Sequence, residues 1–131
     1  MSGIAARFFV INPQKEGSHV CYDVKGLDDK GDIDVKRRYS EFDALHQQLT
    51  ARWPGMIIPT LPAKTYKIHQ QDLNMMTGQG KFDPFIAERR YYLERFIRKI
   101  SERSFMLNGE ECQLFFRGDS KTLKDAILKL P

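Results

Sequence analysis

The feature that most constrains how this chain folds is a change of hydrophobic period near Tyr39. Upstream of it, apolar and polar residues alternate. Phe8-Phe9-Val10-Ile11 ends at Asn12-Pro13, Val20, Tyr22 and Val24 alternate with Cys21, Asp23 and Lys25, and Ile33 and Val35 alternate with Asp32, Asp34 and Lys36. Gly17-Ser18 and the segment from Gly26 to Gly31 supply turns, so the pattern predicts a three-stranded antiparallel meander. Downstream the repeat is helical. Ser40 suits an N-cap with Glu41 and Asp43 in the first turn, and Phe42, Leu45, Leu49 and Trp53 recur as one apolar stripe. A helix from Glu41 to about Arg52 is expected, stopped by Pro54-Gly55.

A long connection comes next. Pro54, Pro59 and Pro62 precede a polar stretch around Met75-Met76, and a loop of this length in a compact domain calls for a function. Asp83-Pro84 suits an N-cap followed by a first-turn proline and opens the longest helix, Phe85 to about Glu102. A shorter helix is expected from Glu110 to Phe116, with Gly118 past its end. Lys121 to Leu130 reads as a docked final helix or, preferred of the two, as the start of a further region. The fold class is α+β: a three-stranded antiparallel meander packed against a helical subdomain of three to four helices, with a long Pro-rich loop.

Composition works mainly by exclusion. The 131 residues are 41% apolar and 29% charged, which suits one globular domain burying roughly two-thirds of its unfolded surface. No run approaches the ~20 apolar residues of a membrane span, and Met1 to Val10 lacks the order of a signal peptide, so a cytoplasmic or membrane-peripheral protein is expected. Cys21 and Cys112 form no C-x-x-C pattern and read as reduced structural thiols. His19, His46 and His69 are scattered, and Gly78-Gln79-Gly80 lacks the residues of a phosphate loop. Neither an enzyme, a metal site nor a cofactor is expected. Nucleic-acid binding is disfavoured, because the aromatics belong to core stripes and form no stacking platform. The net charge of +4 admits an anionic partner without selecting one. Asp28, Asp29, Asp32 and Asp34 make the second turn acidic, so the basic surplus lies elsewhere.

Three groups of cations stand out. Arg89 shares its helical stripe with Ile86, Leu93, Phe96 and Ile100, whereas Arg90, Glu94 and Arg98 occupy what reads as a solvated face. A guanidinium on the core side needs an anion, an internal carboxylate, or a snorkelling path at the edge of the stripe. Lys36-Arg37-Arg38 precede the first helix, where amide groups and the dipole favour an anion; the alternative is a solvated basic strand end. Ile58-Pro59-Thr60-Leu61-Pro62-Ala63-Lys64 is a stiff segment that holds Lys64 at a defined place, or else an adaptor ligand or a rigid loop. Tyr66, Ile68, Leu73, Met75 and Met76 follow it, as a membrane-insertion loop or as residues packed beneath one.

These segments resemble a known family. Arg37-Arg38-Tyr39-Ser40-Glu41-Phe42 is similar to the R-R-Y-S-x-F signature of PX (phox-homology) domains. The Ile58 to Lys64 segment resembles their apolar-P-x-x-P-x-K loop, and Glu88-Arg89-Arg90-Tyr91-Tyr92-Leu93-Glu94-Arg95-Phe96 their E-R-R-x-x-L-E-x-F helix. Ile11-Asn12-Pro13 points to the sorting-nexin type. The resemblance implies a phosphoinositide-binding domain over residues 6–118, with 119–131 as a C-terminal tail or the start of a following region. It implies that Arg38 clamps the 3-phosphate of phosphatidylinositol 3-phosphate, Tyr39 packs on the inositol, Lys64 meets the 1-phosphate and Arg89 binds the 4- and 5-hydroxyls. The expected setting is the cytosolic face of early endosomes in protein trafficking, with the isolated domain a monomer and a coat or cargo protein as a further partner. The alternative function is a PX-fold interaction domain for an acidic cargo or coat partner, without specific lipid recognition.

Overall fold

The computed structural model describes residues 7–28, 30–61, 84–119 and 121–130, with side chains at 84 and 85 excepted. Three strands, β1 (Arg7–Glu16), β2 (His19–Asp28) and β3 (Gly31–Arg38), form an antiparallel sheet in the order β1-β2-β3. Among the described residues five helices follow: α1 (Tyr39–Arg52), α2 (Pro84–Ser101), α3 (Ser104–Leu107), α4 (Glu110–Arg117) and α5 (Leu123–Leu128). The expected α+β architecture is therefore present, with the one-turn α3 as an addition. The last segment forms α5, which packs on α1 and buries Leu123 and Ile127.

Strand alternation builds the core. Phe8 and Val10, Tyr22 and Val24, and Ile33 all turn to the helical side and are buried. Phe42, Leu45 and Leu49 of α1 meet them, as do Leu93, Phe96, Ile97 and Ile100 of α2. Aromatic contacts link the layers: Phe8 stacks on Phe116 at 4.6 Å, and Phe42 meets the edge of Phe115 at 5.0 Å.

The strands depart from the expected pattern at two places. β1 does not stop at Asn12-Pro13 but runs on to Glu16 through a bulge, with pairing shifted between Ile11 and Gln14. Asn12 takes the extra residue's left-handed conformation (φ 53°) and its side-chain amide donates to Asp23 Oδ2 at 3.0 Å. Gly26 lies inside β2 rather than in the turn. A Cβ there would come within 2.5 Å of the Arg7 carbonyl oxygen and the Phe8 ring, so this crossing requires glycine.

Three polar ties lock helices to the sheet. Arg90, Glu94 and Arg98, expected on a solvated face, instead cover the outer edge of β1. Glu94 Oε1 accepts from Val10 N at 3.0 Å, Arg90 donates to Val10 O at 2.7 Å and Arg98 to Phe8 O at 2.9 Å. Arg37 is not a solvated strand end either. It is 2% exposed, and its guanidinium donates to Phe115 O (2.7 Å), Gly118 O (2.8 Å) and Lys36 O (2.9 Å), satisfying carbonyls where α4 ends. The third tie uses the acidic turn: the buried Asp28 accepts two hydrogen bonds from Arg117, at 2.8 and 3.0 Å, and one from Lys30 N.

The Arg117 hydrogen bonds hold the Asp28 carboxyl below its ordinary value of 3.8. A depressed pKa gives stability that is present above the unfolded value and lost as pH falls through the folded one. Asp28→Asn is expected to cost about 2 kcal/mol at neutral pH. In urea unfolding followed across pH, that difference from the parent protein shrinks below 3.8 and disappears once Asp28 is protonated in the folded state; a pH-independent difference would exclude the ion pair as its source.

Candidate anion-binding site

The site forms where β3 passes into α1. The helix begins at Tyr39, and Arg38 rather than Ser40 is its N-cap. Glu41 explains the shift: its carboxylate, buried beside the first turn, accepts from Arg38 N at 2.8 Å and so draws the chain into the helix earlier. A guanidinium has no acceptor, so Arg38 cannot return a bond to the amide groups of the first turn, and no side-chain cap hydrogen bond is made. Ser40 Oγ is buried there and has no hydrogen-bond partner among the described residues. A 14-residue helix thus presents its positive end beside a cation.

α2 supplies the second cation. The Arg89 guanidinium lies over the Tyr39 ring, 4.4 Å from its centroid. Arg89 also lies close to the Tyr22 hydroxyl. Burial pushes that phenol up to about 12, and Arg89 pulls in the opposite direction. The Tyr39 phenol is raised too, chiefly by burial, then by Asp43, with Arg89 again opposing. Both phenols are therefore uncharged at neutral pH. Both serve as neutral walls. Arg38 lies on the outer face of the sheet, where Cys21 is its cross-strand partner; burial and Glu16 push that thiol up to about 11.

Of the four residues expected to bind one ligand, the structure brings Tyr39 and Arg89 into contact and sets Arg38 at the adjoining cap. Lys64 and the loop residues Tyr66, Ile68, Leu73, Met75 and Met76 lie outside the described residues. Sequence reasoning missed Tyr22 and Ser40. A tyrosine on the inward side of an alternating strand was the available signal, since its hydroxyl needs polar company that an aliphatic residue would not. The arrangement suits a polyhydroxylated anion: cations and helix amides for its negative charge, and a flat ring for an apolar face.

A family model described as PX domain matches residues 26–119, more than half of the chain. The chain belongs to the PX domain family. Relatives include vacuolar protein sorting-associated protein vps5 of Schizosaccharomyces pombe, 34% identical over 67% of this chain and 13% of its own length. Sorting nexin-12 of Homo sapiens is 39% identical over 66% of this chain and 51% of its own. Sorting nexin-3 of Mus musculus is 36% identical over 65% and 50%. The chain thus spans about half the length of these relatives or much less. Among solved structures, a designed CISK-PX domain superposes with a TM-score of 0.68 at 27% identity, covering 85% of this chain and 98% of that one. The Vam7p PX domain shares the fold at a TM-score of 0.57 and 23% identity.

The contact between Arg89 and Tyr39 has a measurable signature. In a double-mutant cycle of Tyr39→Leu with Arg89→Met, urea unfolding is expected to give a coupling of about 1 kcal/mol, the worth of a partly desolvated cation–π pair. Tyr39→Phe keeps the ring and should keep most of that coupling. A coupling within error of zero would mean that the two side chains are neighbours without mutual stabilisation.

Proposed function

We propose that residues 6–118 form a phosphoinositide-binding module that brings a sorting-nexin-type protein to membranes, with phosphatidylinositol 3-phosphate on early endosomes as its ligand. The observation that carries this reading is the Arg89 guanidinium stacked on Tyr39 beside the Arg38-capped start of α1. Arg38 takes the 3-phosphate together with the α1 amide groups, Tyr39 packs on the inositol ring, Arg89 donates to the ring hydroxyls and Lys64 meets the 1-phosphate. Arginine fits the first of these roles because its planar fork makes paired hydrogen bonds to phosphate. The family and the sorting nexins among the relatives support the same reading.

Membrane attachment is the sum of separate contributions. The head-group pocket selects the lipid, surrounding cations add about 1 kcal/mol each near an anionic leaflet, and apolar residues of the loop after Lys64 add interfacial burial. Only the first of these distinguishes one phosphoinositide from another. The module has no catalytic role and needs no cofactor.

Sedimentation with liposomes that each carry a single phosphoinositide at matched surface charge tests the assignment. Binding is expected to be strongest with phosphatidylinositol 3-phosphate, and Arg38→Gln should weaken it at least tenfold, since a hydrogen bond to a charged group contributes about 1.5–3 kcal/mol. Leu93→Ala, by contrast, should lower stability by about 2–5 kcal/mol through a core cavity. Equal binding to all anionic liposomes would overturn the lipid specificity. A fall in melting temperature with Arg38→Gln as large as that of Leu93→Ala would make Arg38 a structural residue instead.

A further inference from the structure

The flank of α2 turned away from β1 carries Tyr92, Arg95 and Lys99 at spacings of three and four, one row along the helix. Together with Ile57, Ile58 and Pro59 they line a groove of about 440 Å³. The groove contains no residue of the Arg38, Tyr39 and Arg89 site. A second depression of about 280 Å³ shares Arg95, Lys99 and Glu102 and adds Tyr91, Glu94 and Arg98.

Three properties of the groove point to one kind of occupant. Its charge is unbalanced: Arg95, Lys99 and Arg103 face one carboxylate, Glu102, a surplus of two positive charges. Among the described residues, Arg95 and Lys99 form no ion pair. Its rim is apolar, for Ile57 is 82% exposed and Tyr92 37%, and a β-branched side chain left so bare invites cover. Its main chain is available. Arg103 donates to Ile57 O at 2.8 Å and so pins the segment, but Ile58, Thr60 and Leu61 make no backbone hydrogen bond among the described residues.

Vacant main-chain donors and acceptors beside an apolar rim and two unpaired cations suit a peptide chain. A bilayer would match the charge, but it is flat where this site is concave, and it offers no main chain to pair with Ile58 and Thr60. We propose that the groove between the 57–60 segment and α2 docks an acidic peptide segment of a protein partner, with an apolar side chain of that segment seated between Ile57 and Tyr92. Carboxylates then lie along Arg95 and Lys99. The groove and the lipid site use different faces of α2, so both can be filled at once.

The test is an NMR titration of the ¹⁵N-labelled chain with a short synthetic Asp/Glu-rich peptide carrying one leucine. Amide shifts are expected at Ile57, Ile58 and Thr60 and along Tyr92 to Lys99, and the double variant Arg95→Ala/Lys99→Ala should weaken binding at least tenfold at an unchanged melting temperature. Replacing the peptide's leucine by glycine should also weaken it severalfold. Unchanged affinity in the double variant, shifts confined to the Arg38 and Arg89 region, or indifference to the leucine would each overturn the proposal. So would phosphatidylserine vesicles that bind the parent chain, lose the double variant and displace the peptide, for the groove would then be a membrane face. The lipid reading is tested separately: Arg38→Gln should keep peptide binding, and the double variant should keep phosphoinositide sedimentation.

Discussion

The outer edge of β1 is the constraint on which the rest of the structure depends. A sheet of three strands ordered β1-β2-β3 leaves that edge with main-chain groups that no further strand among the described residues satisfies. α2 satisfies them with side chains: Glu94 accepts from Val10 N, while Arg90 and Arg98 donate to Val10 O and Phe8 O. Glu94 also lies 3.3 Å from Arg90 and 3.6 Å from Arg98, so one carboxylate holds both guanidinium groups and an amide. These bonds fix the rotation of the helix about its axis. Successive residues are then placed by the 100° step of an α-helix. Arg89 falls next to Tyr39, Leu93 and Phe96 fall into the core, and Tyr92, Arg95 and Lys99 face outward. A helix merely buried on its apolar stripe would have more freedom to roll, and the position of Arg89 would be correspondingly looser.

The far side of the domain is held by different chemistry to the same end. Arg37 reaches from β3 to the carbonyls at the end of α4, and Arg117 reaches back from α4 to Asp28 at the β2–β3 turn. Arg52 of α1 meets the buried Glu111 of α4 at 2.7 Å. β2, β3 and α1 are therefore each tied to α4 by a guanidinium. Removing one partner of such a pair strands a buried charge, which costs more than the pair itself contributes. Rigidity at the β3–α1 junction follows, since Arg37 and Arg38 are adjacent and Arg37 is immobilised by three carbonyls. Arg38 inherits its place from a neighbour whose side chain points the opposite way.

What was legible in the sequence follows from how far each signal reaches. Periodicity is a local property with a long-range cause, so the meander, the helices and the placement of Arg89 on an apolar stripe could be read directly. The bulge at Asn12-Pro13 could not, because Asn12 is held in its left-handed conformation by Asp23 across the sheet. The start of α1 was misplaced by the ordinary preference for serine at an N-cap; Glu41 bonding Arg38 N outweighed it. The solvated face assigned to Arg90, Glu94 and Arg98 failed for a third reason. Charged residues at helical spacing look alike whether they face water or the bare edge of a strand, since main-chain carbonyls leave no trace in residue identity. Lys64 and the apolar residues after it lie outside the described residues and stand on resemblance and residue type alone.

The net charge of +4 overstates the cationic surface available to a ligand. Arg37, Arg90, Arg98 and Arg103 all donate to main-chain oxygens, and Arg52 and Arg117 to buried carboxylates. Guanidinium groups suit such work, having five donors in a rigid fork that can bridge carbonyls a single ammonium would not reach together. Lysines are left at the surface: Lys25, Lys30, Lys36, Lys99, Lys121, Lys124 and Lys129 are all exposed. The chain thus spends arginine on architecture as well as on recognition, and counting cations cannot separate the two. Geometry does separate them. The Arg37 fork closes on three carbonyls, whereas the Arg89 guanidinium lies over the Tyr39 ring beside the start of α1. The proposed head-group selectivity would rest on that small subset of the 21 basic residues, with the remainder contributing to folding or to attraction at long range.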